Sequence, residues 1–173
     1  DNWLTYSQPA GIAGILLNSE SNVANANRGY NCAISGDGLS CFMGYSNTID
    51  TKSRVEFYTN DADTGDWIFQ QKILTLDATQ GTNFGFAQSS FPNEFNGASI
   101  ATNSDGSVIV IGDKTTDSSK GSMYIFKRIG NVFTQIYSEI NTQAFAFMGY
   151  SVAINDYGDI VAVGVQGEAV NGL

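Results

Sequence analysis

The sequence predicts an all-β chain built from repeated four-stranded antiparallel sheets, arranged as a segment of a β-propeller. A glycine-punctuated stretch recurs three times within the 173 residues. Each copy has two short β-like runs on either side of a turn, and no part of the chain shows a helical period. These observations favour two whole blades with a partial blade at each end.

The repeat occupies residues 29–44, 97–112 and 149–164, which align without gaps. Glycine stands at the first, tenth and sixteenth places of every copy, and alanine stands at the fifth. Such agreement at fixed spacing is the signature of a repeat architecture. The structural repeat glycines are Gly29, Gly38, Gly44, Gly97, Gly106, Gly112, Gly149, Gly158 and Gly164.

Four strands are expected in each unit. An Asp-Gly or Tyr-Gly pair joins the first two strands, which is a strong hairpin signal. The second strand is apolar on both faces in residues 108–111 and 160–163, so both of its faces should be covered. The fourth strand begins with a recurring aromatic residue, found as Trp3, Trp67 and Phe133. We expect this residue to pack between blades, with a sugar-stacking platform as the alternative.

The repeat divides the chain into successive parts. Residues 1–28 are interpreted as the last strand of a preceding blade plus a loop. Residues 29–76 and 97–140 form two blades, residues 77–96 an inter-blade insertion, and residues 141–173 the first half of a further blade. Because propellers have four to eight blades, we expect the rest of a longer chain or further copies to complete this one. A β-sandwich or an open stack of sheets is the alternative.

Composition excludes several functions. There is no histidine, which removes a Ser-His-Asp triad, a Cys-His dyad and any metal site that needs imidazole. A net charge of −9 argues against nucleic-acid binding. The apolar run at 11–17 is too short to cross a bilayer, so membrane insertion is not expected. The neutral-polar, glycine-rich character favours an extracellular location, or the surface of a cell or virion.

No catalytic residue and no cofactor is predicted, because no pair of carboxylates stands out and no phosphate-binding loop precedes a helix. The densest acidic cluster contains Asp61, Asp63 and Asp66. It is a weak calcium candidate, since Gly65 and Lys72 fall where an EF-hand loop needs oxygen ligands. A solvated turn is the simpler interpretation, and no metal site is predicted beyond it.

Two cysteines, Cys32 and Cys41, are the disulfide candidate. If residues 35–38 form a four-residue turn, Ile34 pairs with Leu39 and the two cysteines lie opposite each other. They could then form a cross-strand disulfide in an oxidising compartment. Because the aligned residues of the other copies are apolar, two buried thiols in a core position are the alternative.

The order of these motifs resembles the FG-GAP repeat of integrin-α-like β-propellers, in the calcium-free version. The pattern runs Gly149-Tyr-Ser-Val-Ala-Ile, an Asp-Gly turn, Val-x-Val-Gly, and Gly121-Ser-Met-Tyr-Ile-Phe before an aromatic run. The resemblance covers residues 29–74, 97–140 and 149–173. The calcium site of the integrin-type repeats is not carried over, because these hairpins are too short to supply its oxygens.

We predict a non-catalytic module for surface recognition, adhesion or assembly. Loops 9–27 and 77–96 are expected to make the contacts, with a protein or glycan on a surface as the partner. One alternative is a structural component of a virion or extracellular filament, in which copies or neighbours complete the propeller. Another is a carbohydrate-binding or carbohydrate-cleaving propeller that uses carboxylates and loop aromatics.

Overall fold

A computed structural model describes residues 26–47, 53–74, 84 and 99–167, and its regular structure is almost entirely antiparallel sheet. The all-β prediction is confirmed. The first sheet contains β1 (Ala26–Ile34), β2 (Ser40–Asn47), β3 (Arg54–Asn60) and β4 (Trp67–Ile73). The second contains β5 (Ile100–Thr102), β6 (Val108–Asp113), β7 (Ser122–Ile129) and β8 (Val132–Ile140). The third pairs β9 (Met148–Ile154) with β10 (Val161–Val165).

Strands follow chain order in both four-stranded sheets, and a short turn, α1 (Thr116–Ser119), connects β6 to β7. The strand expected around Trp3, the repeat glycine Gly97, and most of loops 9–27 and 77–96 lie outside the described residues. Within the described residues, no helix has the length and apolar character needed to cross a membrane.

All three repeat hairpins share one register. Ile34 pairs with Cys41 in the first, Thr102 with Ile109 in the second, and Ile154 with Val161 in the third. The expected pairing of Ile34 with Leu39 is therefore wrong by two residues. The four-residue turn is displaced by one residue, because the Ser35 N–H donates to the Ser40 carbonyl and residues 36–39, instead of 35–38, lie outside the ladder.

A side chain at the seventh repeat place fixes this turn. In every copy, the oxygen of this side chain accepts a hydrogen bond from the backbone N–H of the residue five places later. The accepting residues are Ser35, Asn103 and Asn155. The tenth-place glycine then adopts a positive φ of 64–77°, which residues with a Cβ rarely adopt. The sequence repeat thus corresponds to one repeated hairpin geometry.

The two complete sheets also share an irregularity in the fourth strand. A bulge interrupts the β3–β4 ladder between Phe57 and Tyr58, and the β7–β8 ladder is interrupted at the aligned place between Ile125 and Phe126. In the first sheet, Trp67 pairs with Asn60 before the bulge. In the second sheet, Phe133 pairs with Arg128, the residue at the same repeat place as Asn60. Trp67 and Phe133 are therefore equivalent in structure as well as in sequence.

The main core lies between the first and second sheets. Phe133 packs edge-on against Phe42 and Phe57, with ring centroids 5.3 and 4.9 Å apart. Phe84, within insertion 77–96, is completely buried beside Tyr124 and Phe126. Offset and edge-to-face rings of this kind add to the free energy gained by burial. The core residues are Phe42, Val55, Phe57, Ile73, Phe84, Ile100, Ile109, Ile111, Tyr124, Phe126 and Phe133.

Candidate functional site

Backbone strain concentrates at one end of the sheets. The β6–β7 connection and the β8–β9 connection lie at the same end of the sheets. This follows because Ser122, at the start of β7, pairs with Ile140, at the end of β8. We call residues 114–121 and 141–147 the loop pair. Within the described residues, all non-glycine positions with positive φ belong to it: Asp117, Ser118, Ser119, Phe145 and Phe147. Such strain persists only where surrounding structure holds it, and it often marks a functional region.

Backbone hydrogen bonds join the two loops. Phe147 N–H donates to the Ser119 carbonyl at 3.0 Å, and Met148 N–H donates to the Lys120 carbonyl at 3.1 Å. Gly121 and Met148 also form a parallel bridge. The strained turn is therefore tied to the chain entering the third sheet, and the loop pair is a single joined unit.

Buried polar groups hold the base of the loop pair. The Asp113 carboxylate accepts the Thr115 backbone N–H at 3.0 Å and the Thr115 hydroxyl at 2.8 Å. The Thr116 and Ser122 hydroxyls lie 2.7 Å apart, and both residues are completely buried, as is Asp113. Because buried polar groups are costly without partners, these bonds fix where the strained turn starts and ends.

The outer surface of the loop pair combines an aromatic ring with paired charges. Phe145 is 65% exposed, although its ring lies only 6.4 Å from that of Phe147. Lys120 and Asp117 form an exposed ion pair at 2.7 Å. The exposed Phe145 ring is suited to contact with another molecule, since aromatic residues are enriched at recognition surfaces.

A cation–π contact lies beneath this surface. The Lys114 ammonium is 4.8 Å from the centroid of the Tyr150 ring, and Lys114 is only 8% exposed. Attraction between a cation and a ring face strengthens as water is removed. Lys114 therefore links the strained loop to β9 and adds to the rigidity of the surface above it.

The loop pair was not predicted from the sequence. Its one local signal is the run of turn-forming residues at 117–121, Asp-Ser-Ser-Lys-Gly. The left-handed conformation of Phe145 and Phe147 has no such signal, because aromatic residues rarely adopt it. It arises where the chain must cross from β8 to the next sheet.

The acidic cluster forms a self-contained turn between β3 and β4. The Asp61 carboxylate accepts the backbone N–H groups of Asp63 and Thr64 at 2.9 and 3.4 Å, and the Thr64 hydroxyl accepts the Asp66 N–H. Asp63 and Asp66 point to solvent. Among the residues that the structure describes, no group of three or more Cys, Asp or Glu side chains, this one included, could hold a metal ion.

The two cysteines are free thiols on the outward face of the first sheet. Cys32 is exposed, Cys41 is partly buried, and the residue directly opposite Cys32 is Met43. The cysteines are therefore diagonal neighbours instead of the expected directly opposed pair. A disulfide between them stays a prediction, which a thiol titration of the unreduced chain tests.

Comparison with protein-family models gave no match for this chain, and comparison with curated proteins gave none either.

Proposed function

We propose that the chain is a segment of an integrin-α-like FG-GAP β-propeller that serves as a non-catalytic recognition module at a cell or particle surface. The order of strands supports this arrangement, because each complete sheet is a four-stranded antiparallel meander, as a blade is. The innermost strands of consecutive sheets are neighbours, and an Asn31–Ser99 side-chain hydrogen bond of 3.0 Å joins β1 to the residue preceding β5.

Contacts at the outer edge support the same arrangement. The Gln71 carboxamide on β4 donates to the Phe133 carbonyl at 3.1 Å and accepts the Phe133 N–H at 2.7 Å. At the hairpin end, Asp37 N–H donates to the Ser104 carbonyl and Ser104 N–H donates to the Asp156 carbonyl. The first sheet thus meets the second at the inner strands, the outer strands and the turns, and the second meets the third at the inner strands and the turns, as neighbouring blades do.

The loop pair is the proposed recognition surface, and its strained turn, joined by backbone hydrogen bonds to the segment that carries the exposed Phe145, carries the proposal. A pre-ordered surface binds more tightly than a mobile one, because less conformational entropy is lost on binding. The 9–27 and 77–96 loops remain proposed contributors, since β1 begins and β4 ends at the end of the sheets where the loop pair lies.

Binding of the biotinylated chain, presented as a streptavidin tetramer, to glycan and extracellular-protein arrays tests this proposal. We expect Phe145→Ser to abolish binding and Tyr157→Ser to leave it unchanged. Tyr157 is 87% exposed in the third hairpin turn, at the opposite end of the sheets, so it is the matched aromatic control. Loss of binding only in Tyr157→Ser, or no binding to either array, would contradict the proposal.

A second proposal concerns assembly, with a further repeat sheet covering the third sheet. Ala162 stands at the same repeat place as Phe42 in the first sheet and Val110 in the second. Both of those side chains are completely buried, because each faces the following sheet. Ala162 and its partner Ala153 are exposed instead. Within the described residues, the following sheet covers this repeat place in both the first and the second sheet. We therefore expect another sheet of the same kind to cover the third sheet, from this polypeptide or from another copy.

Light scattering of the purified chain over a range of concentrations tests whether another copy supplies that sheet. If it does, we expect a concentration-dependent increase in mass that Ala162→Arg prevents. Ala62→Arg is the matched control, because Ala62 is an exposed alanine in the β3–β4 turn. A mass that stays monomeric, or that Ala62→Arg lowers equally, would contradict assembly between copies.

A further inference from the structure

Two of the three repeat hairpins carry an Asp-Gly pair in their turns. These pairs are Asp37-Gly38 in the first repeat and Asp105-Gly106 in the second, and the chain contains no other. The third repeat has Tyr157 at the place of the aspartates. An aspartate followed by glycine is chemically reactive, because the unhindered glycine nitrogen can attack the side-chain carboxyl carbon. The same reactive pair therefore occurs twice at one structural place.

Two donors hold the aspartate carboxylate in each of these turns. One Oδ1 atom accepts the backbone N–H two residues further on, at 2.9 Å in both turns. The Ser35 hydroxyl donates to the same oxygen of Asp37. The Asn103 carboxamide donates to the same oxygen of Asp105 at 2.8 Å. The side chain at the seventh repeat place therefore restrains the carboxylate in both repeats.

The glycine nitrogen is restrained by the same seventh-place residue. Gly38 N–H donates to the Ser35 carbonyl at 2.9 Å, and Gly106 N–H donates to the Asn103 carbonyl at 3.2 Å. Attack on the carboxyl carbon requires the Asp-Gly peptide to rotate, which breaks this hydrogen bond. Both reacting groups are therefore held apart from reaction while the turn stays closed.

The Asp105 carboxyl is also kept in its less reactive form. Hydrogen bonds donated by the Ser107 hydroxyl and backbone N–H lower the pKa of this carboxyl, because they stabilise the charged form. A carboxylate anion is a poor electrophile, since its departing oxygen must gain protons to leave as water. The closed turn thus disfavours the neutral acid from which the reaction proceeds.

We propose that Asp37 and Asp105 are sites of isoaspartate formation, which the closed hairpins suppress and local opening of a hairpin permits. The glycine nitrogen bonds to the aspartyl Cγ, and the carboxyl O–H leaves with the amide proton as water. Water then opens the cyclic succinimide by breaking the bond between the glycine nitrogen and the aspartyl main-chain carbonyl. One water is lost and one is gained, and the chain continues through the side-chain carbonyl.

This modification inserts one extra carbon into the backbone of a turn that is closely packed. Asp37 N–H donates to the Ser104 carbonyl, which joins the first turn to the second. A Cβ added to Gly106 would lie 2.6 Å from the Ser40 Cβ, so the second turn has no spare room against the first sheet. Isoaspartate in either turn should therefore loosen the contact between these two sheets.

Incubation of the chain in mildly acidic buffer, with and without urea, tests the proposal when isoaspartate is located by peptide mapping with electron-transfer fragmentation. We expect both sites to react in urea and to react at least about 10-fold more slowly in the folded chain, because reaction must wait for the hairpin to open. Each site is resolved separately, since the two Asn-Gly pairs of the sequence also form isoaspartate. Asp156 is the internal control, because the bulky Tyr157 follows it and should keep it unmodified.

Ser35→Ala and Asn103→Ala are matched controls for each other. Ser35→Ala should accelerate reaction at Asp37 about 5-fold or more and leave Asp105 unchanged, because it removes hydrogen bonds from the first turn alone. Asn103→Ala should have the reverse effect.

Three results would overturn the proposal. Equal rates with and without urea would show that the hairpins do not suppress the reaction, and absence of isoaspartate in urea would show that the pairs are not reactive. Equal acceleration of both sites in either variant would show that unfolding of the whole chain, instead of one hairpin, controls the reaction. The wild-type comparison decides the proposal even where a variant fails to fold.

Discussion

Gly112 and Gly149 lie against each other where β6 meets β9, and neither has room for a side chain. A Cβ on Gly112 would collide with the Gly149 carbonyl, and a Cβ on Gly149 would collide with the Ser122 carbonyl. Gly149 also has a φ of +82°. The close approach of the second and third sheets therefore depends on glycine at the sixteenth place of one repeat and the first place of the next.

Replacing Gly149 by alanine should destabilise the chain strongly. Strained backbone and an unrelieved backbone clash together should lower the free energy of unfolding by more than about 3 kcal/mol. Gly130→Ala is the control, because Gly130 has a φ of +65° but nothing within 4 Å of its added Cβ. It should cost only about 1–2 kcal/mol for the left-handed conformation. Equal losses in urea unfolding would show that the contact with Gly112 is unimportant.

The Asn103 side chain should stabilise the second hairpin. Its carboxamide oxygen accepts the buried Val108 N–H at 2.9 Å, and its NH₂ donates to Asp105 and Ser107. Asn103→Ala leaves the Val108 N–H unpaired, so we expect a loss of about 1–3 kcal/mol.

Asn155→Ala is the matched control for that prediction. Asn155 accepts the Ile160 N–H at 3.0 Å in the third hairpin, where the bond is exposed and water can replace it. Its loss should be about 1 kcal/mol or less. A larger effect at Asn155 than at Asn103, measured by thermal unfolding, would contradict this account of the turn.

Phe133 should be one of the residues most sensitive to truncation. It is 4% exposed and contacts Phe42 and Phe57 in the first sheet. Phe133→Ala should cost about 3–5 kcal/mol, because the cavity lies in the middle of the core. Phe145→Ala removes the same atoms from a 65% exposed position and should change stability by at most about 0.5 kcal/mol. Similar denaturant midpoints for both variants would place Phe133 outside the core.

Cys41 should react slowly and affect stability only at alkaline pH. Burial raises the pKa of its thiol from 9.0 to about 11, so the folded chain holds this proton more tightly than the unfolded chain does. The resulting stabilisation is complete below pH 9.0 and is lost as pH rises towards 11. At pH 8 the thiolate fraction is about 100-fold below that of an ordinary cysteine.

Iodoacetamide alkylation of Cys32→Val, which retains only Cys41, measures this effect. We expect alkylation to be much slower in the folded chain than in urea, where Cys41 has its ordinary pKa. The pH dependence of stability should also lose this alkaline component in Cys41→Val. Equal alkylation rates with and without urea would contradict the raised pKa.

Sequence periodicity determined the all-β class and the spacing of the repeats, because glycine placement and apolar runs are local properties of the chain. It also identified Trp67 and Phe133 as equivalent, and the ladders agree. The hairpin register was missed by two residues. The Asp-Gly pair indicates a turn, but the residues at which that turn starts and ends depend on a side-chain oxygen that accepts a backbone N–H five residues on.

The sequence by itself determined which residues alternate between faces and that a hairpin turn follows the first strand of each repeat, since these follow from backbone conformation over a few residues. Only the tertiary structure decided that Gly112 meets Gly149, that Phe84 enters the core, and that Cys32 lies opposite Met43. These relationships join segments through packing between sheets and through ladder register. Both depend on how distant parts of the chain fit together, which no local pattern specifies.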